Sequence, residues 1–217
     1  MERVAFVMYA DRHYVKIQET LIKSIRFIYP DATIFAFRSF AEIHPNCPSH
    51  SENPFAFKVF AIEHAMFRGY NIAIWLDSPN RLVRAIDDWL PKISNVGVYL
   101  QRDGWWCGQW ANDKSLEYFG ITRDEAMQIP NVYACIMAFD FRNPVTSVFL
   151  EKWKKACLDG IFRGAVKNDK NTESNDSRCL GHRHDQTCAE LIAYKLGIEN
   201  QTSVLGENKY FLSWIEV

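Results

Sequence analysis

Two acids stand where an α/β protein does its chemistry. Asp77 ends the apolar run Ile72-Ala73-Ile74-Trp75-Leu76. In open α/β sheets ligands bind outside the carboxyl ends of the strands, so an acid there is well placed for a metal ion or a sugar nucleotide. Two residues on, where a second acid would complete a pair, stands Pro79. Taken alone, an Asp followed by Ser78-Pro79 also reads as the opening of a turn. The other acid is Asp185, in the stretch Gly181-His182-Arg183-His184-Asp185-Gln186 at the head of a helical run. There Asp and Gln can use the exposed helix N–H groups, and an Asp can take a proton from a hydroxyl. The same residues also read as a helix cap. Cys179, His182, His184 and Cys188 are zinc-type ligands close together, but their spacing matches no common module and Cys188 falls inside the helix. A third group is Gly104-Trp105-Trp106-Cys107-Gly108-Gln109-Trp110, flanked by Arg102 and Asp103. Its flat rings suit a hexose, or a lid packed on the core.

Residues 3–9 (RVAFVMY), 33–37, 72–76, 96–100 and 133–140 read as strands. Helices are predicted at 14–28, where Ile17, Leu21, Ile25 and Ile28 recur at helical spacing, and at 54–68, opened by Asn53-Pro54 and closed by Gly69. Others are predicted from Asn143-Pro144 to about Cys157 and from Asp185 to Leu196. Thr122 and Glu125 form a capping box on one of two short helices after the tryptophan-rich loop. Residues 165–181 are polar and aperiodic, which predicts a mobile loop. The alternation of strands and helices predicts an α/β class with a mainly parallel sheet. Tyr9 to Tyr14, Trp75 to Asn80 and Phe139 to Asn143 should then converge at the strands' carboxyl ends.

The composition sets further bounds. A chain of 217 residues with a formal net charge of -1 offers no nucleic-acid footprint. No apolar run reaches the ~20 residues of a membrane span. Six cysteines without a Cys-x-x-Cys pair predict free thiols in a reducing, cytoplasmic setting. The chain ends abruptly on Trp214-Ile215-Glu216-Val217, as a domain excised from a longer protein would. Dinucleotide-binding, P-loop and α/β-hydrolase glycine motifs are absent.

The order of the pieces carries a resemblance. A strand leads into Ala10-Asp11-Arg12-His13-Tyr14, and a helix bearing Phe57-Lys58-Val59 leads into IAIWLDSPNRLV. NVYACIMAFDFRNP, a long helix and GHRHDQTCAELIAYKLG follow. This resembles a nucleotide-sugar glycosyltransferase of the GT-A fold. It is similar to glycogenin-like enzymes and to the capsid-glycan glycosyltransferases of large algal (chlorella) viruses. The resemblance implies one α/β domain over 1–217, with a central mixed, mostly parallel sheet of about six strands flanked by helices. It implies transfer of a hexose from a UDP-sugar to a hydroxyl of a glycan or glycoprotein, assisted by Mn2+ or Mg2+, in the host cytoplasm if the protein is viral. Tyr9, Asp11 and Tyr14 match the nucleotide-binding stretch, where a Tyr ring can stack on uracil while Asp11 accepts from the base. Lys58 matches a lysine that reaches the donor diphosphate. Asp77, with Ser78, matches the start of the metal-holding Asp-x-Asp motif. Pro79 departs from that motif, which makes His182, His184 and Asp185 the replacement ligand candidates beside Asp77. Asp185 and Gln186 match an Asp-Gln pair at the donor sugar, with Asp185 the candidate catalytic acid. Arg102, Trp105 and Trp106 would face the acceptor or sugar. Ala134 and Cys135 match small residues that let the sugar approach the sheet, and Tyr133 replaces a polar contact. The alternative is a catalytically silent GT-A domain that binds nucleotide-sugar or glycan without transfer.

Overall fold

The computed structural model describes residues 3–198 and 210–213; Trp214 to Val217, on which the expectation of a longer protein rests, lie outside them. The strands are β1 (Val4–Tyr9), β2 (Thr33–Phe37), β3 (Ile72–Leu76), β4 (Asn80–Leu82), β5 (Val98–Trp106), β6 (Pro130–Asp140) and β7 (Phe211–Ser213). The helices are α1 (Tyr14–Ile28), α2 (Phe40–Ile43), α3 (Ala56–Phe67), α4 (Leu90–Val96), α5 (Cys107–Trp110), α6 (Asp113–Phe119), α7 (Arg123–Ala126), α8 (Pro144–Leu158) and α9 (Asp185–Lys195). Among the described residues the main sheet has five strands in the order β2-β1-β3-β6-β5, and β4 and β7 form a small second sheet. β1 pairs parallel with β2 and β3, whereas β6 runs antiparallel to both β3 and β5. Four of the five strands therefore share one direction, and the expected mixed, mostly parallel sheet is present with five strands.

All five residues of β3 are buried, as befits a central strand covered on both faces. Its side chains alternate between two cores. Ala73 and Trp75 pack with α3, α8 and α9, while Ile72, Ile74 and Leu76 pack with α1 and α4. The chain leaves β1 for β2 on one side and returns to β3 on the other. This makes a switch point between the carboxyl ends of β1 and β3, the place where such sheets open a crevice. Ser78 Oγ donates to the Tyr9 carbonyl at 3.3 Å across it.

Several expectations change. Because β6 is antiparallel, Asp140 pairs in register with Ile72 at the start of β3. Phe139 to Asn143 thus lie at the end of the sheet opposite Asp77. The amino half of β6 is what reaches the crevice, and Asp77 N donates to the Cys135 carbonyl at 2.9 Å. Asp140 pairs instead with Arg142. The tryptophan-rich stretch is strand as far as Trp106, with register shifts after Leu100 and Arg102, and a short helix, α5, from Cys107 to Trp110 rather than a loop; the two short helices expected after it are α6 and α7. Helix α3 begins at Ala56, with Phe55 at φ 59° as its cap, so Pro54 is not its first residue. Asn53 instead turns inward and donates to the Cys157 carbonyl at 2.6 Å.

Residues 165–181 lack regular structure over most of their length, but they are pinned rather than loose. Asn168 Oδ1 accepts from Glu173 N (2.9 Å) and Ser174 N (3.2 Å), and its Nδ2 donates to the carbonyls of Ser174 and Cys179. Glu173 accepts from Ala165 N and from Asn112 Nδ2. At Gly181 a Cβ would fall 1.9 Å from the Val166 carbonyl oxygen, so only glycine fits where the segment folds back. Single-sequence polarity reads such a segment as free because it cannot see which polar groups satisfy one another.

Candidate functional site

At the mouth of the crevice the Lys58 ammonium is surrounded by oxygen. Lys58 is on α3, and its residue is only 2% exposed. Its Nζ donates to the Ala134 carbonyl at 3.0 Å and lies 3.1 Å from Asp185 Oδ2 and 3.5 Å from Asp77 Oδ1. It also sits over the rings of Phe55 (5.3 Å) and Trp75 (5.7 Å). Burial pulls this lysine toward neutrality, but the charges of Asp185 and then Asp77 outweigh it and hold the ammonium charged, above the ordinary lysine range. Burial raises the Asp185 carboxyl, against the opposing charge of Lys58. Asp77 Oδ1 further accepts from the Trp75 indole N–H at 2.7 Å. Asp185 is the first residue of α9, where the positive helix end favours a carboxylate, and its carbonyl accepts from Trp153 Nε1 at 2.9 Å.

The backbone is strained around this cluster. His184 (φ 53°, ψ -117°) and Phe55 (φ 59°) are non-glycine residues at positive φ, and their rings lie 5.4 Å apart. Such conformations persist where the surroundings enforce them, and they collect at functional sites.

Sequence reasoning named most of this cluster: Lys58, Asp77, Ser78, Asp185 and Gln186 converge on Ala134 and the end of β1. Gln186 Oε1 accepts from Ala134 N at 3.5 Å. Lys58, expected to reach outward to a diphosphate, is instead enclosed by the two carboxylates. Tyr9 is half-buried, its ring stacked on Phe40 (5.1 Å) and tilted against Phe57 (4.6 Å). Its phenol is pushed up to about 12 by burial first and then by Asp11. Asp11 and Tyr14 are exposed at the start of α1, with the Tyr14 ring 4.1 Å from that of His13.

Sequence reasoning missed His50, and read Cys135 only as a small residue that lets the sugar approach the sheet. The Cys135 thiol is pushed well above its ordinary range by burial and then by Asp77. His50, from the loop before α3, rests its ring 4.7 Å from that of Phe55 and accepts from Phe55 N at Nδ1. Asp185 and Asp11 both act on its charge, which burial disfavours. Nothing in the run of residues 41–53 marks His50 out; it comes to the site only because α3 starts beside it.

The expected metal ligands do not fit an ion. Among the described residues no three His, Cys, Asp or Glu side chains gather as a metal centre requires. His182 is fully buried, its Nε2 3.0 Å from the Ile161 carbonyl and its Nδ1 accepting from Asn112 N. His184 directs Nδ1 at the Phe162 carbonyl, 2.8 Å away. Both rings thus hold the 160–165 turn. With Pro79 in place of the second acid and Lys58 against Asp77, the donor set lacks the several oxygens that Mg2+ or Mn2+ demands.

His182 has a consequence for stability. Burial lowers it to about 3, so it stays neutral in the fold while the unfolded residue titrates near 6.5. The stability this neutral ring supports is fully present above pH 6.5 and is lost as pH falls toward its folded value. The slope approaches about 1.4 kcal/mol per pH unit. Urea unfolding at a series of pH values should show this loss, and His182→Gln should flatten it. An equal slope in both proteins would show that His182 is not its source.

Arg102, Trp105 and Trp106 form a separate group at the end of β5. Trp105 and Trp106 are 49% and 43% exposed. Trp105 meets Trp110 edge-on at 5.9 Å, and the Arg183 guanidinium lies 4.0 Å above the Trp110 ring. Arg183 stands two residues before Asp185, so it links this aromatic group to the ion-pair cluster. Trp110 was read from sequence with its loop, whereas Arg183 was not singled out.

No protein-family model and no curated protein matches this chain. Solved structures do. The apo structure of the bifunctional glycosyltransferase WbbM superposes with a TM-score of 0.53 at 14% identity, covering 94% of this chain and 39% of WbbM. Apo mouse xyloside xylosyltransferase 1 superposes at 0.52 with 11% identity, covering 94% of this chain and 85% of the mouse protein. The fold is GT-A. At such identity the likeness is one of architecture. Within that GT-A frame, the Lys58 cluster lies between the end of β3 and the amino half of β6, beside the β1–β3 switch point where an open α/β sheet takes its ligand.

Proposed function

We propose that this chain is a glycosyltransferase that moves a hexose from a UDP-sugar to a hydroxyl of a glycan or glycoprotein, with 1–217 as one GT-A domain. The observation that carries the reading is the Asp77–Lys58–Asp185 cluster beside the switch point of a GT-A sheet, with Lys58 and Asp185 buried and Asp77 part-buried, flanked by the strained His184 and Phe55. Buried charges are costly to fold, so their presence in a crevice argues for use. The likeness to glycogenin-like and algal-virus enzymes, and a cytoplasmic setting, belong to the same proposal. All six cysteines are free thiols, which suits a reducing compartment, and among the described residues no helix is long and apolar enough to cross a membrane.

In this reading Tyr9, Asp11 and Tyr14 border the nucleotide, while Asp77 and Ser78 border the ribose and diphosphate. Asp185 and Gln186 face the sugar. Arg102, Trp105 and Trp106, with Trp110 and Arg183, offer rings and charge to the acceptor. In the transfer, the bond from the anomeric carbon to the diphosphate oxygen breaks and a bond to the acceptor oxygen forms. UDP leaves with the electron pair of the broken bond, and its freed diphosphate oxygen takes up the acceptor hydroxyl's proton. Asp185 supports the positive charge that develops on the sugar, and the helix end behind it keeps its carboxyl oriented.

The test is calorimetric titration of UDP, UMP and GDP, followed by UDP-release assays with UDP-hexoses and Mn2+ present throughout. UDP is expected to bind in the micromolar range, about -7 to -8 kcal/mol, and more tightly than UMP or GDP. Release of UDP from one UDP-hexose should then exceed the protein-free rate. Absence of UDP binding would end the nucleotide-sugar reading. Binding without turnover on any UDP-hexose and glycan acceptor would favour the silent domain, for which Pro79 is the supporting feature.

A further inference from the structure

We propose that the donor site works without a divalent cation, the Lys58 ammonium standing as a built-in cation between Asp77 and Asp185. The inference rests on the nucleotide-sugar reading for the nature of the ligand, a nucleoside diphosphate. It goes beyond that reading in what holds the ligand.

Three observations converge. First, the donor set is short: Pro79 has no coordinating side chain, and both imidazoles that could replace an acid are turned to backbone carbonyls. Second, the place between the acids is filled. Lys58 Nζ lies 3.1 Å from Asp185 Oδ2, 3.5 Å from Asp77 Oδ1 and 3.0 Å from the Ala134 carbonyl. A divalent ion needs ligand oxygens at about 2.0 to 2.6 Å. An ion bridging these same carboxylates would press against a like charge that cannot withdraw, because the lysine side chain is 3% exposed and boxed by Phe55 and Trp75. Third, the negative charge already has other partners. The Trp75 indole N–H serves Asp77, and the amino end of α9 serves Asp185. The cluster, two carboxylates around one ammonium, keeps a single net negative charge that the indole N–H and the helix end temper, and a lysine covalently part of the chain cannot be removed by chelation.

The experiment uses the intact wild-type protein. UDP is titrated calorimetrically in excess EDTA and again in millimolar Mn2+. Mn2+ alone is titrated with detection by electron paramagnetic resonance, and UDP release from a UDP-hexose is followed in both buffers. The expected result is a UDP affinity that agrees within about threefold between the buffers, no stoichiometric Mn2+ signal loss, and turnover that survives EDTA. UDP binding that tightens by about tenfold or more with Mn2+, or turnover abolished by EDTA and restored by Mn2+, would overturn the inference and leave the transferase reading standing. Failure of UDP to bind in either buffer would overturn the nucleotide reading and this inference with it.

Discussion

Lys58→Met is expected to destabilise the protein by about 3–5 kcal/mol, because breaking a buried ion pair leaves an uncompensated charge. Methionine matches the lysine stem in length, so packing changes little. The loss is electrostatic. Asp185 is 3% exposed and would keep only the helix end as partner. Its escape is to take up a proton, which from an ordinary value of 3.8 costs about 4 kcal/mol at neutral pH. The sign of the pH dependence follows. A carboxyl with a raised folded pKa has its stability fully present below the unfolded value and loses it as pH rises, so the variant should approach wild-type stability as the solution is acidified. Urea unfolding of wild type, Lys58→Met, Asp185→Asn and the double variant forms a cycle in which the second change should recover more than half of the first loss. A Lys58→Met cost under about 1 kcal/mol would sink the account of the cluster as a buried ion pair, since exposed pairs are worth that little.

Asp185→Asn is expected to lower UDP-release turnover by about 10²- to 10³-fold, the range lost when a group aimed at charge developing in the transition state is removed. Asparagine keeps the shape and the backbone carbonyl that accepts from Trp153, so the helix start should hold. Lys58 retains Asp77 and the Ala134 carbonyl as partners. UDP affinity should therefore change by less than about tenfold, which separates a role at the sugar from a role in nucleotide binding. Asp77→Asn should show the opposite split, with UDP affinity falling first. Turnover of Asp185→Asn within a few-fold of wild type would remove Asp185 from the reaction.

Much of this molecule was legible in its residues. The apolar runs at β1, β2 and β3 were read close to their ends because a strand buried on both faces declares itself by composition. Asn143 was read as the start of α8, and its Oδ1 does accept from Val145 N. Thr122 and Glu125 form the capping box expected of them. Each of these signals is local, carried by residues that touch their sequence neighbours. Where the controlling partner was remote, the reading failed. Pro54 looked like a helix start until Asn53 turned to Cys157, 104 residues away.

The candidate site divides in the same way. Legible in the residues alone are the alternation of strands and helices, the acid at the end of β3, the acid at the head of α9, and the want of a metal-binding side chain at Pro79. All of these are properties of residue type and short-range pattern. That β6 runs backwards emerges only in the folded sheet, because strand direction belongs to pairing across the sheet and leaves no trace in an apolar run. That reversal took Phe139 to Asn143 away from the crevice and brought Ala134 and Cys135 to it. Folding likewise fixes that Lys58 spans 76 residues to the Ala134 carbonyl and stands between two carboxylates instead of reaching out to solvent. An ammonium buried in low dielectric goes where the nearest anions are, and which anions those are is fixed by packing alone.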